Sequence, residues 1–455
     1  MLYTNKIMQA PKNLYSDYKK LLGEFITFES VSTDPVFKPK IRATANWLKS
    51  VFEKNGFSVH IVEGYGNPIV VAHYTVHQLL KTCLIYGHYD VQPASKEDGW
   101  KSDPFTLRES KGRLIARGAV DNKGQVSIHM ATIFSLIKKK SLNYNVTFLI
   151  EGDEESGTGD IAGFLKENRD LIASDFVLIS DGEISACYPT LEAGFRGVLN
   201  ATLTINTSDR DLHSGLYGGA VPNAAHELTI MLDKLFDEES YTVSIPGFYE
   251  NVPDVSKSQL TDSKNLPFSL SGVKSVTGIK NMLLEKGHNF HTQVGFRPTV
   301  QVTGLSSGYT GVGFRNSVPH TATAKLNFRL VPEQDPREIA KKVSLYIKQI
   351  SPKHAEVIFK AGESSKGVRL DVENEYTGNV KKMMEKIYKK KVLVKHCGAT
   401  LPIVTEIDRL LGVPQILAPL ANEDCRMHAV DENYEIGHAR KALALSWSLF
   451  EKKAK

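Results

Sequence analysis

The sequence predicts an α/β protein in which a mostly parallel sheet is interrupted by a smaller α+β segment. Four short apolar runs bounded by turn residues have the composition of buried strands: PIVVAHY from Pro68, TCLIYG from Thr82, VTFLIEG from Val146 and FVLISDG from Phe176. A long apolar segment between the second and third runs, residues 124–140, predicts a helix buried on most of its surface. Strands that alternate with helices favour a parallel sheet.

Helices are predicted on either side of these runs. Apolar residues recur at helical spacing in residues 14–31 and 41–52, and Gly56 follows as a candidate C-terminal cap. Near the other end of the chain, the buried type of pattern returns after Val372 with a helix predicted at residues 376–389. One α/β domain built from both ends of the chain is therefore expected.

The middle of the chain has a different pattern. The runs GFRGVLNATLTI from Gly194 and HTATAKLNFRLVP from His320 alternate apolar and polar residues, which is typical of antiparallel strands with one solvent-facing side. Amphipathic helices are predicted at residues 223–237 and 336–350. Residues 237–313 are rich in Gly, Ser, Asn and Pro and are predicted to be mostly loop.

Composition excludes several classes of protein. Among 455 residues, 56 Lys and Arg against 51 Asp and Glu give a net charge of +5, which argues against nucleic acid or a membrane surface as a partner. Hydrophobic residues make up 41%, and no run approaches the roughly 18 apolar residues of a membrane span. The first residues lack the apolar region of a signal peptide. With four cysteines and no CxxC pair, a cytoplasmic protein without disulfides is expected.

Polar residues with chemical potential follow the predicted strands. The second run leads into His88 and Asp90, the third into Glu154 and Glu155, and the fourth into Asp181. Ligands of open α/β sheets bind at the C-terminal ends of the strands, where such side chains meet. The sequence therefore predicts a functional site at this edge.

The acids at this edge require a counter-charge. Asp121, which precedes the buried helix, brings the set to about four carboxylates, which would raise one another's pKa. Two divalent cations would neutralise them. Imidazole and carboxylate ligands without thiolates suit Zn²⁺, or Mn²⁺ where carboxylates dominate, and His428 is the candidate second histidine. The histidines that lack acidic neighbours are interpreted as core or surface residues: His60, His73, His77 and His129.

Spacing suggests roles within two pairs. His88 and Asp90 are two residues apart on an extended segment, so their side chains share a face and Asp90 can orient the imidazole. Glu154 and Glu155 are adjacent and cannot easily share one role. We expect one of them to bind metal and the other to act as general base and then general acid.

Two other motifs suggest different chemistry. Gly157 and Gly159 follow a strand as in a dinucleotide fingerprint, but the acids just before them would repel a pyrophosphate. Residues 304–308 match the GxSxG motif, but a nucleophile elbow needs a helix directly afterwards, and the glycine-rich YTGVGF follows instead. Neither motif is expected to function.

A series of motifs resembles those of a two-zinc peptidase family. This family includes carnosinases and cytosolic dipeptidases, carboxypeptidase G, acetylornithine deacetylase and succinyl-diaminopimelate desuccinylase. The resemblance spans essentially the whole chain, and the dipeptidase branch is the most similar. The motifs are GHYDVQP from Gly87, DPF from Asp103, ARGAVDNKGQ from Ala116, EGDEESGT from Glu151, ISDGE from Ile179, LHSGLYGGAV from Leu212, FRLVP from Phe328 and the late His428.

The resemblance implies a set of metal ligands. His88 and Asp181 would bind one ion, Glu155 and His428 the other, and Asp121 would bridge the two. These assignments come from the matching motifs and go beyond what spacing alone predicts.

Other roles are implied in the same way. Glu154 would be the general base, and Asp90 the partner that orients the histidine ligand beside it. The peptide bond between Asp121 and Asn122 would be cis.

The resemblance also implies a zinc-exopeptidase-like catalytic domain, residues 1–191 and 369–455, and a lid and dimerisation domain, residues 192–368. His213 in the lid would stabilise the oxyanion, in many relatives at the site of the partner subunit, and Arg329 would bind the substrate carboxylate. Further substrate contacts would be Asn316, Gly398 and Thr400.

The expected activity is metal-dependent hydrolysis of the peptide bond in dipeptides or short peptides by a cytoplasmic homodimer. A deacylase of N-acyl amino acids would use the same catalytic residues and is the alternative. A dipeptidase would in addition need a place for a free α-amino group. A protein that only binds metal would not need Glu154.

Overall fold

The structure is a computed structural model that describes residues 10–452. The helices are α1 (Leu14–Ile26), α2 (Lys38–Lys54), α3 (Lys123–Lys138), α4 (Ile161–Glu167), α5 (Ser214–Tyr217), α6 (Ala224–Asp233), α7 (Lys257–Asn265), α8 (Leu270–Thr277), α9 (Phe290–Phe296), α10 (Pro336–Ile350), α11 (Glu375–Tyr388), α12 (Pro402–Leu410) and α13 (Ile436–Phe450). Within the described range, no helix is both long enough and apolar enough to cross a bilayer.

The strands are β1 (Ser58–Val62), β2 (Ile69–Tyr74), β3 (Thr82–His88), β4 (Arg108–Ser110), β5 (Arg113–Ile115), β6 (Asn145–Glu151), β7 (Phe176–Ile179), β8 (Thr190–Phe195), β9 (Gly197–Asn206), β10 (Leu212–His213), β11 (Phe236–Asp237), β12 (Thr242–Val243), β13 (Thr299–Ser307), β14 (Ser317–Val318), β15 (Thr321–Leu330), β16 (Glu356–Ser365), β17 (Val368–Arg369), β18 (Leu393–Cys397), β19 (Gln415–Leu417) and β20 (Asn433–Glu435).

The chain divides into two compact units. The first comprises the chain up to Ala193, Leu370–Val394 and the chain from Glu406, and the second comprises Gly194–Arg369 and Lys395–Thr405. Residues 395–405, which the sequence assigns to the catalytic domain, thus cluster with the second unit. Apolar residues continue on both sides of this segment, so the sequence pattern shows no boundary there.

The sheet of the first unit is mixed. Its strands lie in the order β1-β2-β6-β3-β7-β19-β8, with parallel pairs from β6 to β19 and antiparallel pairs outside them. The α/β class is confirmed, whereas the outer strands differ from the mostly parallel sheet predicted. Residues 63–68 join β1 to β2, and this connection is too short for the crossover that parallel neighbours need.

The central strands are buried on both faces. Every residue of β6 is buried, and so is every residue of β3 after Thr82. Helix α3 is buried from Lys123 to Phe134, as its apolar composition predicts, and it packs beside α1 and α13. The parallel strands β3, β6 and β7 therefore form a rigid base from which the loops at their C-terminal ends emerge.

A small antiparallel sheet joins two distant parts of the first unit. β20 pairs with β5, with Asn433 opposite Ile115, and β5 pairs with β4. This pairing holds the segment that follows His428 beside the segment that precedes Asp121.

The second unit has a separate core. β13, β15, β9 and β16 form an antiparallel sheet in that order, and α6 and α10 pack against it. The alternation predicted for the two long strands is confirmed, since their inward residues are buried and the residues between them are not.

Residues 237–313 contain more structure than the predicted loop. They include α7, α8 and α9, and the edge strand β13, whose pairing with β15 shifts register between Val302 and Gly304. Most residues of β13 are exposed, so no apolar alternation marks the strand. The GxSxG match lies at the end of β13 and is followed by residues 308–316 without a helix, which agrees with the interpretation that it is no nucleophile elbow.

His129 on α3 is a core residue of the first unit. Its ring nitrogens lie 3.0 Å from the Ser180 hydroxyl and 3.1 Å from the Ser446 hydroxyl. Burial lowers the pKa of His129 to about 3, because a charged imidazolium would lose its hydration there.

We expect His129 to make the protein less stable in acid. As the pH falls from 6.5 toward 3, the unfolded chain binds a proton that the folded chain does not, so the free energy of unfolding falls by up to about 1.4 kcal/mol per pH unit. Urea unfolding of the wild type and of His129→Gln at about pH 7.5 and about pH 5.5 measures how much the free energy of unfolding falls on acidification. The loss on acidification should be about 1 kcal/mol smaller in the variant. Ser446→Ala keeps the imidazole and should behave as the wild type, and equal losses in all three proteins would contradict the expectation.

Candidate metal centre

Two groups of side chains in the first unit could each hold a metal ion. One group consists of His88, Asp121 and Asp181, and the other of Asp121, Glu155 and His428. In each group, one ligand atom from every residue lies within 4.8 Å of the others. Asp121 belongs to both groups, so the five residues form one connected cluster.

The fold explains how these residues meet. His88 is the last residue of β3, Glu155 lies in the turn after β6, and Asp181 lies just beyond β7. Because these strands are parallel neighbours, the three side chains share one edge of the sheet. Asp121 directly precedes α3, and His428 lies in the loop between β19 and β20.

The Asp121 carboxylate lies between two imidazoles. Its Oδ1 is 3.1 Å from Nε2 of His88, and its Oδ2 is 2.7 Å from Nε2 of His428. The same His88 nitrogen is 3.6 Å from Oδ2 of Asp181, and the same His428 nitrogen is 3.1 Å from Oε2 of Glu155. A carboxylate whose two oxygens face two different ligand pairs is suited to bridge two ions.

Burial strengthens the electrostatics of this cluster. The side chains of His88 and Asp121 are 0% and 6% exposed, and that of His428 is 53% exposed. Burial opposes a charged His88, but hydrogen bonds with Asp121 and Asp181 outweigh it and raise the pKa of His88 well above its usual value. Hydrogen bonds with Asp121 and Glu155 raise the pKa of His428 to about 10. The carboxylates thus favour positively charged partners.

The donor set fits divalent metal ions. Each group offers one imidazole nitrogen and carboxylate oxygens, and neither group contains a thiolate. Such ligands suit Zn²⁺, and Mn²⁺ where carboxylates dominate.

Glu154 is beside the ligand groups but belongs to neither. Burial raises the pKa of Glu154 well above its usual value. The nearby His88 opposes this rise, whereas the carboxylates of Asp181 and Asp121 add to it. A carboxyl group with a raised proton affinity beside a cluster of ligands has the property that a general acid and base needs.

Asp90 connects the two ligand groups. Its Oδ1 lies 3.3 Å from Nδ1 of His88, and its Oδ2 accepts hydrogen bonds from the Glu155 backbone N–H at 3.0 Å and the Ser32 hydroxyl at 2.6 Å. One carboxylate thus contacts the imidazole of one group and the backbone of a ligand in the other.

The sequence does not predict the supporting residues Ser32, Gln92 and Asn122. Nε2 of Gln92 donates to Oε2 of Glu155 at 2.9 Å, and Nδ2 of Asn122 donates to the Ser180 carbonyl at 2.8 Å. Gln92 lies inside the GHYDVQP motif, and this position is the feature of the sequence that could have predicted its role. Ser32 lies far in sequence from every motif, so no local pattern predicts its contact with Asp90. The peptide bond before Asn122 is cis, as the resemblance implies.

His213 and Asn316 are neighbours in the second unit. β10 pairs with β14, so that His213 lies opposite Ser317, and the Ser214 N–H donates to the Asn316 carbonyl at 3.0 Å. His213 is exposed, and its Nδ1 accepts a hydrogen bond from the Gly215 N–H at 3.0 Å.

The other predicted substrate-binding residues meet around Arg196, which the sequence does not predict. Nη1 of Arg329 donates to the Thr400 hydroxyl at 2.8 Å, and that hydroxyl donates to the Arg196 carbonyl at 2.7 Å. Nε of Arg196 donates to the Gly398 carbonyl at 3.0 Å. Burial and the nearby Arg329 lower the pKa of Arg196 to about 10. Two guanidinium groups close together form a positive region that suits an anion.

Imidazole and carboxylate groups at the C-terminal edge of parallel strands form an arrangement that metal-dependent hydrolases can use. The chain belongs to peptidase family M20/M25/M40, whose model matches residues 84–452. It is 26% identical over 470 residues to the Cys-Gly metallodipeptidase dug1 of Schizosaccharomyces pombe, covering 97% of this chain and 96% of the relative. It is 25% identical over 456 residues to the Beta-Ala-His dipeptidase of Homo sapiens, covering 94% of this chain and 88% of that relative. The predicted family is confirmed, and the chain is a hydrolase.

Solved structures agree with this assignment. The M20 family metallo-carboxypeptidase Sso-CP2 from Sulfolobus solfataricus has a TM-score of 0.85 and 29% identity, over 97% of this chain and 98% of that chain. Human carnosine dipeptidase 1 has a TM-score of 0.78 and 21% identity, over 96% of this chain and 99% of that chain. This similarity shows that the two proteins share a fold.

The shared position of Asp121 predicts unequal effects on metal binding. We expect Asp121→Asn to weaken the binding of both ions, because each group loses a charged ligand, whereas His428→Ala should weaken only one. Metal analysis of the purified proteins after dialysis against a fixed zinc concentration measures this.

The neighbouring acid Asp153 provides a control. Its carboxylate is held by Asn67, Ser156 and Thr158 and belongs to neither group. Asp153→Asn should therefore keep both ions. Two ions retained by Asp121→Asn would show that Asp121 does not bridge them.

Proposed function

We propose that this chain is a metallo-dipeptidase that hydrolyses the peptide bond of dipeptides or short peptides. The observation that carries the proposal is the position of Glu154, a proton-binding carboxyl beside two ligand groups that share Asp121. Support also comes from the two relatives above, both of which are named as dipeptidases.

In this proposal the centre holds two divalent ions, with zinc favoured over manganese. His88 and Asp181 would hold one ion, Glu155 and His428 the other, and Asp121 both. When bound, the two ions would supply Lewis acidity toward the scissile carbonyl and an attacking water molecule.

Glu154 would move the proton in both halves of the reaction. Its carboxylate would accept a proton from the attacking water, and the resulting carboxylic acid would donate that proton to the nitrogen of the departing amine. The raised pKa favours holding the proton between these events. Asp90 would keep the imidazole of His88 oriented through its Nδ1 contact.

Residues of the second unit would recognise the substrate. Arg329 would pair with the substrate carboxylate, beside the Thr400 hydroxyl that it already contacts, with Gly398 and Asn316 as further contacts. His213 would donate a hydrogen bond to the carbonyl oxygen as that oxygen gains negative charge. We also propose a homodimer formed through the second unit, with His213 serving the site of its own subunit or that of the partner. A cytoplasmic location is proposed from the cysteine content.

A deacylase of N-acyl amino acids is the second candidate, because it would use the same centre. Assaying the zinc-loaded and manganese-loaded protein against a panel of dipeptides and N-acyl amino acids tests the choice. Hydrolysis of dipeptides is expected. Activity on N-acyl amino acids alone would replace the dipeptidase with the deacylase, and activity in neither panel would contradict both.

We expect Glu154→Gln to lower kcat by about 10²–10⁴-fold while both ions remain bound, because the amide cannot accept the proton. Steady-state kinetics and metal analysis on the same sample measure both effects. Glu155→Gln is the matched variant and should lose an ion instead. If the outcomes are exchanged, with Glu154→Gln losing the metal, the roles of the two glutamates are reversed.

We expect His213→Ala to lower kcat by about 10²-fold or more without loss of metal, the usual scale for one oxyanion donor. If His213 acts in the partner subunit, mixing inactive His213→Ala and Glu154→Gln proteins should restore some activity. A mixed dimer has one site with both native side chains, and neither parent dimer has such a site. No recovery, once subunit exchange is demonstrated, would eliminate the arrangement between subunits.

A further inference from the structure

We propose that Glu432 is a positioning residue of the metal centre, which fixes the loop carrying Asp121 to the loop carrying His428. The inference rests on the proposed metal centre, in which both of these residues are ligands. Glu432 is fully buried, and it lies four residues after His428 and directly before β20.

The Glu432 carboxylate accepts four hydrogen bonds from residues 117–121. Its Oε1 accepts from the backbone N–H groups of Val120 at 2.9 Å and Asp121 at 3.1 Å. Its Oε2 accepts from Nη1 of Arg117 at 2.7 Å and the backbone N–H of Gly118 at 3.1 Å. The backbone of Asp121 is therefore held directly by the side chain of Glu432.

These contacts distinguish Glu432 from a ligand. A carboxylate has about four lone-pair sites, and all of them are used here by protein donors. Arg117 is only 4% exposed and places a positive charge beside this buried carboxylate. Glu432 is thus a fully satisfied support for the loop rather than a group available to an ion.

The loop that carries His428 needs such support. Arg426, His428 and Asp431 have φ angles of 58°, 59° and 60°, a left-handed conformation that is uncommon for residues other than glycine and that surrounding contacts can stabilise. The backbone of Glu432 supplies one such contact, because its carbonyl accepts a hydrogen bond from the Ala116 N–H at 3.1 Å.

The two loops meet at the centre itself. Oδ2 of Asp121 is 2.7 Å from Nε2 of His428, so a shift of either loop changes the distance between two ligands of one ion. Removing a group that hydrogen-bonds a metal ligand typically lowers the affinity for the metal by about 10–100-fold. We assign Glu432 an effect of this size on at least the group of Asp121, Glu155 and His428, because both of the loops that it joins supply members of that group.

Glu432→Gln tests this assignment, with Glu435→Gln as the matched control. Glu435 ends the same strand, β20, and its side chain is 42% exposed, so the same chemical change there removes no contact with residues 117–121. Zinc affinity of each metal-stripped protein is measured by competition with a chromophoric chelator, and folding is checked by urea unfolding. We expect affinity for at least one of the two ions to fall by about 10-fold or more in Glu432→Gln but not in Glu435→Gln.

A purely structural role predicts a different result. A folded Glu432→Gln protein that is less stable but binds both ions within about twofold of the wild type would overturn the proposal. If Glu432→Gln does not fold, Glu432→Asp is compared with the wild type instead, by zinc affinity and urea unfolding. Its side chain keeps the charge near Arg117 but is too short to reach all four donors. If the wild type itself does not bind two ions, the proposed metal centre fails instead, and the two failures are thereby distinguished.

Discussion

Buried carboxylates must be partnered, and the way each one is partnered separates the roles of acids that look alike in the sequence. Asp121 faces two imidazoles, so its charge is retained at a position where cations are favoured. Glu432 is enclosed by backbone N–H groups and one arginine, so it is a fixed support. At Glu154, burial is the dominant influence, so the proton is held more tightly. Burial also raises the pKa of Glu432, so the hydrogen-bond partners of each acid, and not its proton affinity alone, distinguish Glu432 from Glu154.

Two frameworks hold this cluster together. The parallel strands β3, β6 and β7 present His88, Glu155 and Asp181 at one edge, whereas the small antiparallel sheet of β5 and β20 brings the His428 loop to the Asp121 loop. The members of both candidate ligand groups therefore come from segments far apart in sequence. Asp121, which belongs to both groups, lies where the two frameworks join, and its loop is fixed there by many hydrogen bonds.

Apolar runs and residue spacing were enough to predict the parts of the site whose geometry depends on residues close together in sequence. Apolar runs located the central strands, and the residues that end or follow these strands include three of the five members of the cluster, His88, Glu155 and Asp181. The two-residue spacing of His88 and Asp90 predicted their contact, which is observed at 3.3 Å. Glu432 and Ser32 act through partners many residues away, and no periodicity records such contacts. The edge strand β13 was missed for a related reason, since a strand with most of its residues exposed has no apolar alternation.

In the proposed activity, the metal centre would not by itself specify the substrate. The acids and imidazoles of the first unit would act on any amide bond. The second unit holds Arg329 and Arg196, with Arg329 oriented through the Thr400 hydroxyl, which is itself anchored to the Arg196 backbone. Such a prearranged positive region suits a carboxylate, but dipeptides and N-acyl amino acids both carry one. The group that separates these substrates is the free α-amino group, so in the proposed activity the choice between them depends on a contact for a cation, which Arg329 and Arg196 cannot supply because they are cations themselves.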